Sequence, residues 1–584
     1  MRTQVAAVAL AGLLAGTAIP RDAHACGGLF CDGPPPNPFS PLPVAQNGEN
    51  VVFAMTPDPA GGAPTLEAHI QILYTGDAAK FSWVVPVDAE PTLSTGTDRL
   101  FTALAGVTQP QFQTNYVTDG VCATYGRGVE NGTVFPTATT GAAGTTGAAG
   151  TGAGAPSVQV SFQGAVGPFD AAVIKSDDSM ALVMWLTDNG YVVSDAAKSL
   201  IDAYVRENKY FVALKLLNGV GVNQIQPIVL TFKGTEACVP LRLTAIAANP
   251  DMPVLVWVLG QNRVAPRGYY ELAIDEARVD WQTRGSNYFG PQGLVSQAAN
   301  EAGGNAFITE YAGPSDIARG SVFVNGQIDL TALGNAMTPA AYVQMLVQMG
   351  LANDPLMLPL LTKYIPMPDA LKAMNVTPAQ FYGNIQNYWG QYAFPAYDLA
   401  GLTSEISTSI VMPRMKAQMM IDAHPYLTRL NTFISPEEMT KDPFFFEAQD
   451  LQPVSNVHTA TIRTFCDSDH LYCNAPQRLE LEDGTKIWLR AGMQGTTCVS
   501  EGTDLSDLQG LPAAKVVWSR EAAGEGTVIT DNAVKISAAI NEHNGKYVSG
   551  CACDLGGAGA NAPLFAWLAS VAAVVIARRR RTRG

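Results

Sequence analysis

Two thiols and an imidazole stand close together at Cys466-Asp467-Ser468-Asp469-His470-Leu471-Tyr472-Cys473. With Cys498 as a fourth ligand, Cys466, His470 and Cys473 have the types and spacing that hold zinc. Asp467 and Asp469 would instead offer oxygen to calcium, but no Asp/Gly/Glu loop spacing follows them. In an oxidising compartment the expectation is simpler: a Cys466–Cys473 disulfide under a solvated Asp-Ser-Asp-His tip. Elsewhere the chain has no H-E-x-x-H, no G-x-S-x-G elbow and no Gly-rich phosphate loop followed by Lys-Ser/Thr. Gly219-Val220-Gly221 lacks a third glycine and reads as a turn between strands. His69 lies on the polar side of an alternating segment and reads as solvent-facing, while His424 and His458 read as structural. No catalytic residue, cofactor-binding residue or cofactor is assigned on these patterns.

The compartment follows from the two ends. Arg2, the apolar run Val5 to Ile19 and Ala23-His24-Ala25 form a signal peptide over residues 1–25, to be cut by signal peptidase. Cys26 then becomes the first mature residue. His24 argues against a lipoprotein box there. The nine cysteines are Cys26, Cys31, Cys122, Cys238, Cys466, Cys473, Cys498, Cys551 and Cys553. In an exported chain the first six are disulfide candidates, and the odd number leaves one thiol over. Gly27 and Gly28 would let Cys26 and Cys31 close a small ring at the mature terminus.

At the other end stands Cys551-Ala552-Cys553-Asp554, then an uncharged stretch from Leu555 to Ala577, then Arg578, Arg579, Arg580 and Arg581. As helix the uncharged stretch would span roughly 35 Å, enough for a hydrocarbon core of about 30 Å. The arginines would stay on the cytoplasmic side. In order and position, residues 551–584 resemble the MYXO-CTERM sorting tail. That resemblance implies a transmembrane helix, a sorting protease that cuts near the cysteine motif, and a place on the cell surface. An ordinary C-terminal membrane anchor is the alternative, and either makes this an envelope protein.

Formal net charge is −15. The two ends hold seven arginines and two aspartates; without them, 29 basic residues face 49 acidic ones, a net of −20. Such a surface repels phosphate backbones, which excludes nucleic acid as the natural partner. The apolar fraction of 47% is ordinary for a folded chain.

The elements between the ends predict an α+β protein. A proline-dense stretch, 32–43, opens the mature chain. Leu66, Ala68, Ile70 and Ile72 alternate with Glu67, His69 and Gln71, a half-buried strand, and Phe81 to Val87 is an apolar strand. Residues 137–156 are Thr/Gly/Ala repeats, a flexible loop within one domain. Ala181 to Leu186 reads as a strand, and Ser194 caps a helix whose stripe is Ala197, Leu200, Ile201, Tyr204 and Val205. Tyr210–Leu217, Ile225–Phe232, Val239–Ala247 and Val254–Leu259 read as a buried sheet that Glu271–Asp280 could extend. This makes a mixed or antiparallel sheet domain over 26–330. Helices follow over 331–445, opened by Thr338-Pro339 and by capping boxes at Thr377–Gln380 and Ser435–Glu438. The methionines among them, Met345, Met349, Met412, Met415, Met419 and Met420, read as core packing. A small disulfide-stapled β unit covers 446–550, with a hairpin from Arg478 to Arg490 turning at Asp483-Gly484.

Four segments of the body resemble a family. They are Cys26-Gly27-Gly28-Leu29-Phe30-Cys31, Phe81-Ser82-Trp83-Val84-Val85-Pro86-Val87, Tyr191 through Leu217, and Trp281 through Gly313. Together they look like the domain-of-unknown-function family 2330, exported bacterial proteins, over about 26–330. The resemblance implies compartment and extent, and no activity. The expected function is therefore a surface-anchored binding or structural protein with an unidentified envelope ligand. The alternative is a hydrolase-like envelope enzyme whose site assembles only in the fold. A cleft with convergent carboxylates or a His–Asp pair would favour the alternative.

Overall fold

The structure, a computed structural model, describes residues 44–76, 81–122, 158–217, 225–234, 236–466, 475–489, 505, 507–524 and 526–550. Its first strands are β1 (Val44–Thr56), β2 (Thr65–Gly76), β3 (Ser82–Val87), β4 (Thr92–Thr95), β5 (Gln111–Asp119), β6 (Val158–Val166) and β7 (Phe169–Ser176). Then come β8 (Tyr210–Leu216), β9 (Ile228–Lys233), β10 (Ala237–Cys238), β11 (Met252–Gly260), β12 (Val264–Arg267), β13 (Tyr270–Ile274) and β14 (Ala306–Pro314). The last are β15 (Tyr426–Ile434), β16 (Phe444–Glu447), β17 (Val457–Phe465), β18 (Gln477–Leu481), β19 (Lys486–Leu489), β20 (Ala514–Ser519) and β21 (Thr527–Asp531). Ten of them make one sheet in the order β21-β20-β13-β14-β15-β11-β1-β2-β9-β4. It is mixed: β1 runs parallel to β11 and β13 to β14, while β1–β2, β11–β15 and β14–β15 are antiparallel.

One face of this sheet stacks on the four-stranded sheet β3-β8-β7-β6. Phe53, Leu66, Ile70, Val256 and Leu430 meet Trp83, Val85, Phe169, Val212 and Leu214 there. The other face of the small sheet is covered too: Val84, Phe211 and Ala213 pack on Leu182, Leu186, Ile201 and Tyr204 of the helices Ser179–Asp188 and Asp195–Arg206. A strand buried on both sides needs apolar residues at every position, which is why Phe81–Val87 reads as a run and not as an alternation.

The second face of the ten-stranded sheet carries helices. Val52, Ala54, Trp257 and Leu427 pack under Leu100, Phe101 and Leu104 of the helix Asp98–Thr108 and under Ala417 and Ile421 of the helix Met412–Ala423. Short helices between Leu330 and Ile406 enclose a core of their own around Tyr342, Leu346, Leu361, Phe381 and Leu402. Thr338 caps with Pro339 at the first helical position, and the capping boxes of Thr377–Gln380 and Ser435–Glu438 are both closed. Of the methionines, Met420 is buried and Met345 and Met349 pack on the helical core, while Met412 and Met419 are exposed.

Four expectations are corrected. Ala181 to Leu186 is helix: the Asp178 carboxylate accepts from the Met180 and Ala181 N–H groups and starts a turn that a short apolar run alone does not reveal. Val239 to Ala247 holds the helical turn Leu241–Thr244 after Pro240, and β13 ends at Ile274, where the Asp275 side chain caps a 3-10 turn. The strands expected as one unit over 446–550 are shared between sheets. β17, β18 and β19 form a sheet with β5, whereas β20 and β21 extend the ten-stranded sheet beyond β13. The hairpin turns at Gly484, whose φ of +85° a glycine adopts without strain. Among the described residues no helix is long and apolar enough to cross a membrane. The signal peptide, Cys26, Cys31, the loop 137–156, Gly219-Val220-Gly221, Cys551, Cys553 and the arginine tail lie outside the described residues.

Candidate functional site

A cleft of about 420 Å³ opens where the short helices meet the helix-covered face of the large sheet. Its walls are the start of the helix Asp98–Thr108, the turn from Met349 to Leu356, the stretch Gly320 to Phe323, and Ser409, Ile410 and Arg414. Each wall has a local cause. Thr97 is extended, with φ −140°, and its hydroxyl accepts the Arg99 N–H at 3.3 Å, so the helix begins at Asp98 with that carboxylate in the first turn. The opposite wall is a wide π turn, Ser407–Val411, inserted ahead of the helix Met412–Ala423. Pro413 has no N–H to give the Ser409 carbonyl at the α-helical spacing. Gln226 donates to that carbonyl from across the cleft, at 3.0 Å.

Asp98 is held by a polar relay from the sheet. Asn50 and Gln71 are cross-strand partners on β1 and β2. Asn50 Nδ2 donates to Gln71 Oε1 at 2.8 Å, which turns the Gln71 amide nitrogen to Asp98 Oδ1 at 2.6 Å. Burial raises the pKa of Asp98, and the Asp354 charge raises it further, against the bond from Gln71. Asp354 itself is neutralised: one oxygen accepts the Leu356 N–H at 2.9 Å and the other pairs with Arg414. Arg414 Nε is buried without a protein acceptor. Arg99 reaches across the mouth to the Ser321 carbonyl at 3.1 Å. Among the described residues no cation pairs with Asp98. No histidine or cysteine lines the cleft, so no nucleophile with an adjacent imidazole base is assembled in it.

The described cysteines and histidines singled out from sequence lie elsewhere, while Met349 lines the cleft. Cys466 is bonded to Cys122, not to Cys473. The parallel pairing of β5 with β17 brings the two strand ends together, which local spacing does not disclose. A disulfide sulfur is no thiolate ligand, so Cys466 is removed from the zinc set; His470, Cys473 and Cys498 lie outside the described residues. Cys238 has no disulfide partner among the described residues, and burial pushes its thiol up. Among the described residues no three His, Cys, Asp or Glu side chains converge to hold a metal ion.

His69 is corrected: it is 4% exposed. Its Nε2 meets Glu67 at 2.6 Å, and Gly96, just ahead of the helix Asp98–Thr108, closes over its Nδ1. The polar side of β2 faces a helix layer, not solvent. His424 is buried between Thr56 and the Met420 carbonyl, and His458 pairs with Glu276 at 2.8 Å. His543 and Asp507 form a His–Asp pair, but the other imidazole nitrogen is held by the Trp488 carbonyl at 2.7 Å. Asp98, Asp354, Arg414 and Gln226 were not picked out in the sequence. Thr97-Asp98 as a helix start and Pro413 after a helix were the available signals.

No curated protein and no solved structure matches the chain. A family model does match, over residues 67–446. That span corrects the expected limit near 330, and the sheet explains why: β15 lies between β14 and β11, so the central sheet is incomplete before residue 434. The chain belongs to the family described as uncharacterized protein conserved in bacteria, DUF2330.

Proposed function

We propose that this is an exported, cell-surface-anchored binding protein of the envelope, which takes a small polar ligand in the cleft between Asp98 and Arg414. The supporting observation is the set of polar groups converging on one cavity of ligand size, with one carboxylate left without a cation among the described residues. Export by signal peptidase and retention through residues 551–584, processed by a sorting protease, rest on the residue patterns of the two ends. Native mass spectrometry of the protein released from intact envelopes tests the binding reading. A retained small molecule that is lost in Met349→Trp, which fills the cleft, is the expected result. Equal retention in that variant would place the ligand elsewhere.

The raised Asp98 carboxyl beside Asp354 favours one second reading, a hydrolase-like enzyme with Asp98 as general acid. Asp354 is tied to Arg414, which leaves the pair without a free carboxylate to serve as base. Turnover of envelope polymers that Asp98→Asn abolishes would decide for the enzyme.

A further inference from the structure

We infer that the ligand of this cleft carries a primary ammonium group and seats it on Asp98. This rests on the reading of the cleft as a ligand site. The four charged side chains of the lining are not equivalent. Arg414 is paired with Asp354, and Arg99 is spent on the Ser321 carbonyl. Asp98 pairs with neither. Its Oδ1 accepts from Gln71, and its Oδ2 receives no side-chain donor among the described residues. The amide that serves Oδ1 is itself oriented by Asn50, so the carboxylate is positioned before any ligand arrives. Asp98 is half-buried, and a carboxylate so placed with no cation among the described residues is an unfavourable arrangement that a ligand cation relieves.

Shape and charge favour ammonium over guanidinium and over anions. An ammonium is compact, with three donors, and suits a single open carboxylate oxygen. An anionic ligand would meet the unpaired Asp98 carboxylate, whereas Arg414 is held by Asp354. The chain as a whole, at −15, also draws cations from solution.

The test titrates the full-length protein at pH 8 by calorimetry with two probes of matched length, pentylamine and pentanoate. Pentylamine is expected to bind and pentanoate not to. Asp98→Asn is expected to weaken the amine at least tenfold, and Met349→Trp to block it while leaving Asp98 in place. Urea melts of both variants establish that they are folded. Amine binding indifferent to both substitutions would overturn the inference. Binding of pentanoate in place of the amine, blocked by Met349→Trp, would overturn the ammonium class and leave the cleft a ligand site. Binding of neither probe also overturns the ammonium class, and retention of an envelope ligand by the unmodified cleft then judges the broader reading separately.

Discussion

Cys122 and Cys466 are joined by a disulfide across 344 residues of sequence, their Cα atoms 4.5 Å apart. The bond fastens the end of β5 to the end of β17, its parallel partner, and the Cys466 N–H adds a 2.7 Å bond to the Asp119 carbonyl. Gly120 makes the approach possible: a Cβ at that position would lie 2.2 Å from the Cys466 carbonyl oxygen. A cross-link closing so long a loop contributes on the order of 2–5 kcal/mol through the unfolded state. Non-reduced peptide mapping should recover the peptides of Cys122 and Cys466 as one species. Reductant should lower the urea midpoint by a corresponding amount. A Cys466–Cys473 peptide in its place would refute the pairing.

Glu310 is the extra residue of a bulge in β14, between Thr309 and Tyr311, and it is buried under Arg429 of the neighbouring strand. Asn431 and Tyr288 donate to its other oxygen at 2.8 and 3.1 Å. Arg429 also bonds Thr108 Oγ1 at 3.3 Å and lies over Trp257. Removing either charge strands the other in a dry site, at about 3–5 kcal/mol. Glu310→Gln and Arg429→Met should each show that loss in chemical denaturation. The double variant should lose less than the sum. Strict additivity would mean the two charges do not depend on each other.

Gly285 stands against Phe112, the buried aromatic that stacks with His458 and touches Trp281 and Tyr288. Its φ is +74°, and a Cβ there would fall 2.2 Å from the Phe112 ring. Gly285→Ala therefore combines left-handed backbone strain, about 1–2 kcal/mol, with a clash that must displace the ring. Gly484 has a similar φ of +85° with nothing within 4 Å. Gly484→Ala isolates the backbone part. The Gly285 variant should be the less stable of the two, and equal losses would show that Phe112 moves freely.

What could be read in the sequence was local. The Thr377–Gln380 capping box, the Ser194 cap and the turn at Asp483-Gly484 each depend on residues a few positions apart, and each is present. The central sheet was not legible, because β15 inserts between two strands that precede it by more than a hundred residues. The cleft was hidden for the same reason. Gln71 meets Asp98 across 27 residues and Asp354 meets Arg414 across 60, distances at which no periodicity survives. His69 fell to a different limit: alternation separates the two sides of a strand but does not say whether the polar side is covered.

Glu49 makes stability depend on pH near neutrality. It is 1% exposed, beside Gln46, whose Nε2 donates to it at 3.1 Å, and Thr244, at 3.5 Å. Burial drives its pKa up to about 7, the Asp442 charge adds to the rise, and the two bonds oppose it. In the unfolded chain the same carboxyl titrates near 4.5. Below that value the group is neutral in both states and imposes no cost. As pH rises from 4.5 through 7, the unfolded chain ionises first and the folded state must either keep its proton or bury a charge. Stability falls across that window, by about 3 kcal/mol for a shift of this size. Glu49→Gln keeps the shape and removes the titration. The difference in unfolding free energy between wild type and Glu49→Gln should therefore move against wild type between pH 5 and pH 8, and level off above. Because both proteins carry every other titrating group, those contributions cancel in the difference. A difference that stays constant over this range would show that Glu49 is already ionised in the fold, with its charge solvated or paired.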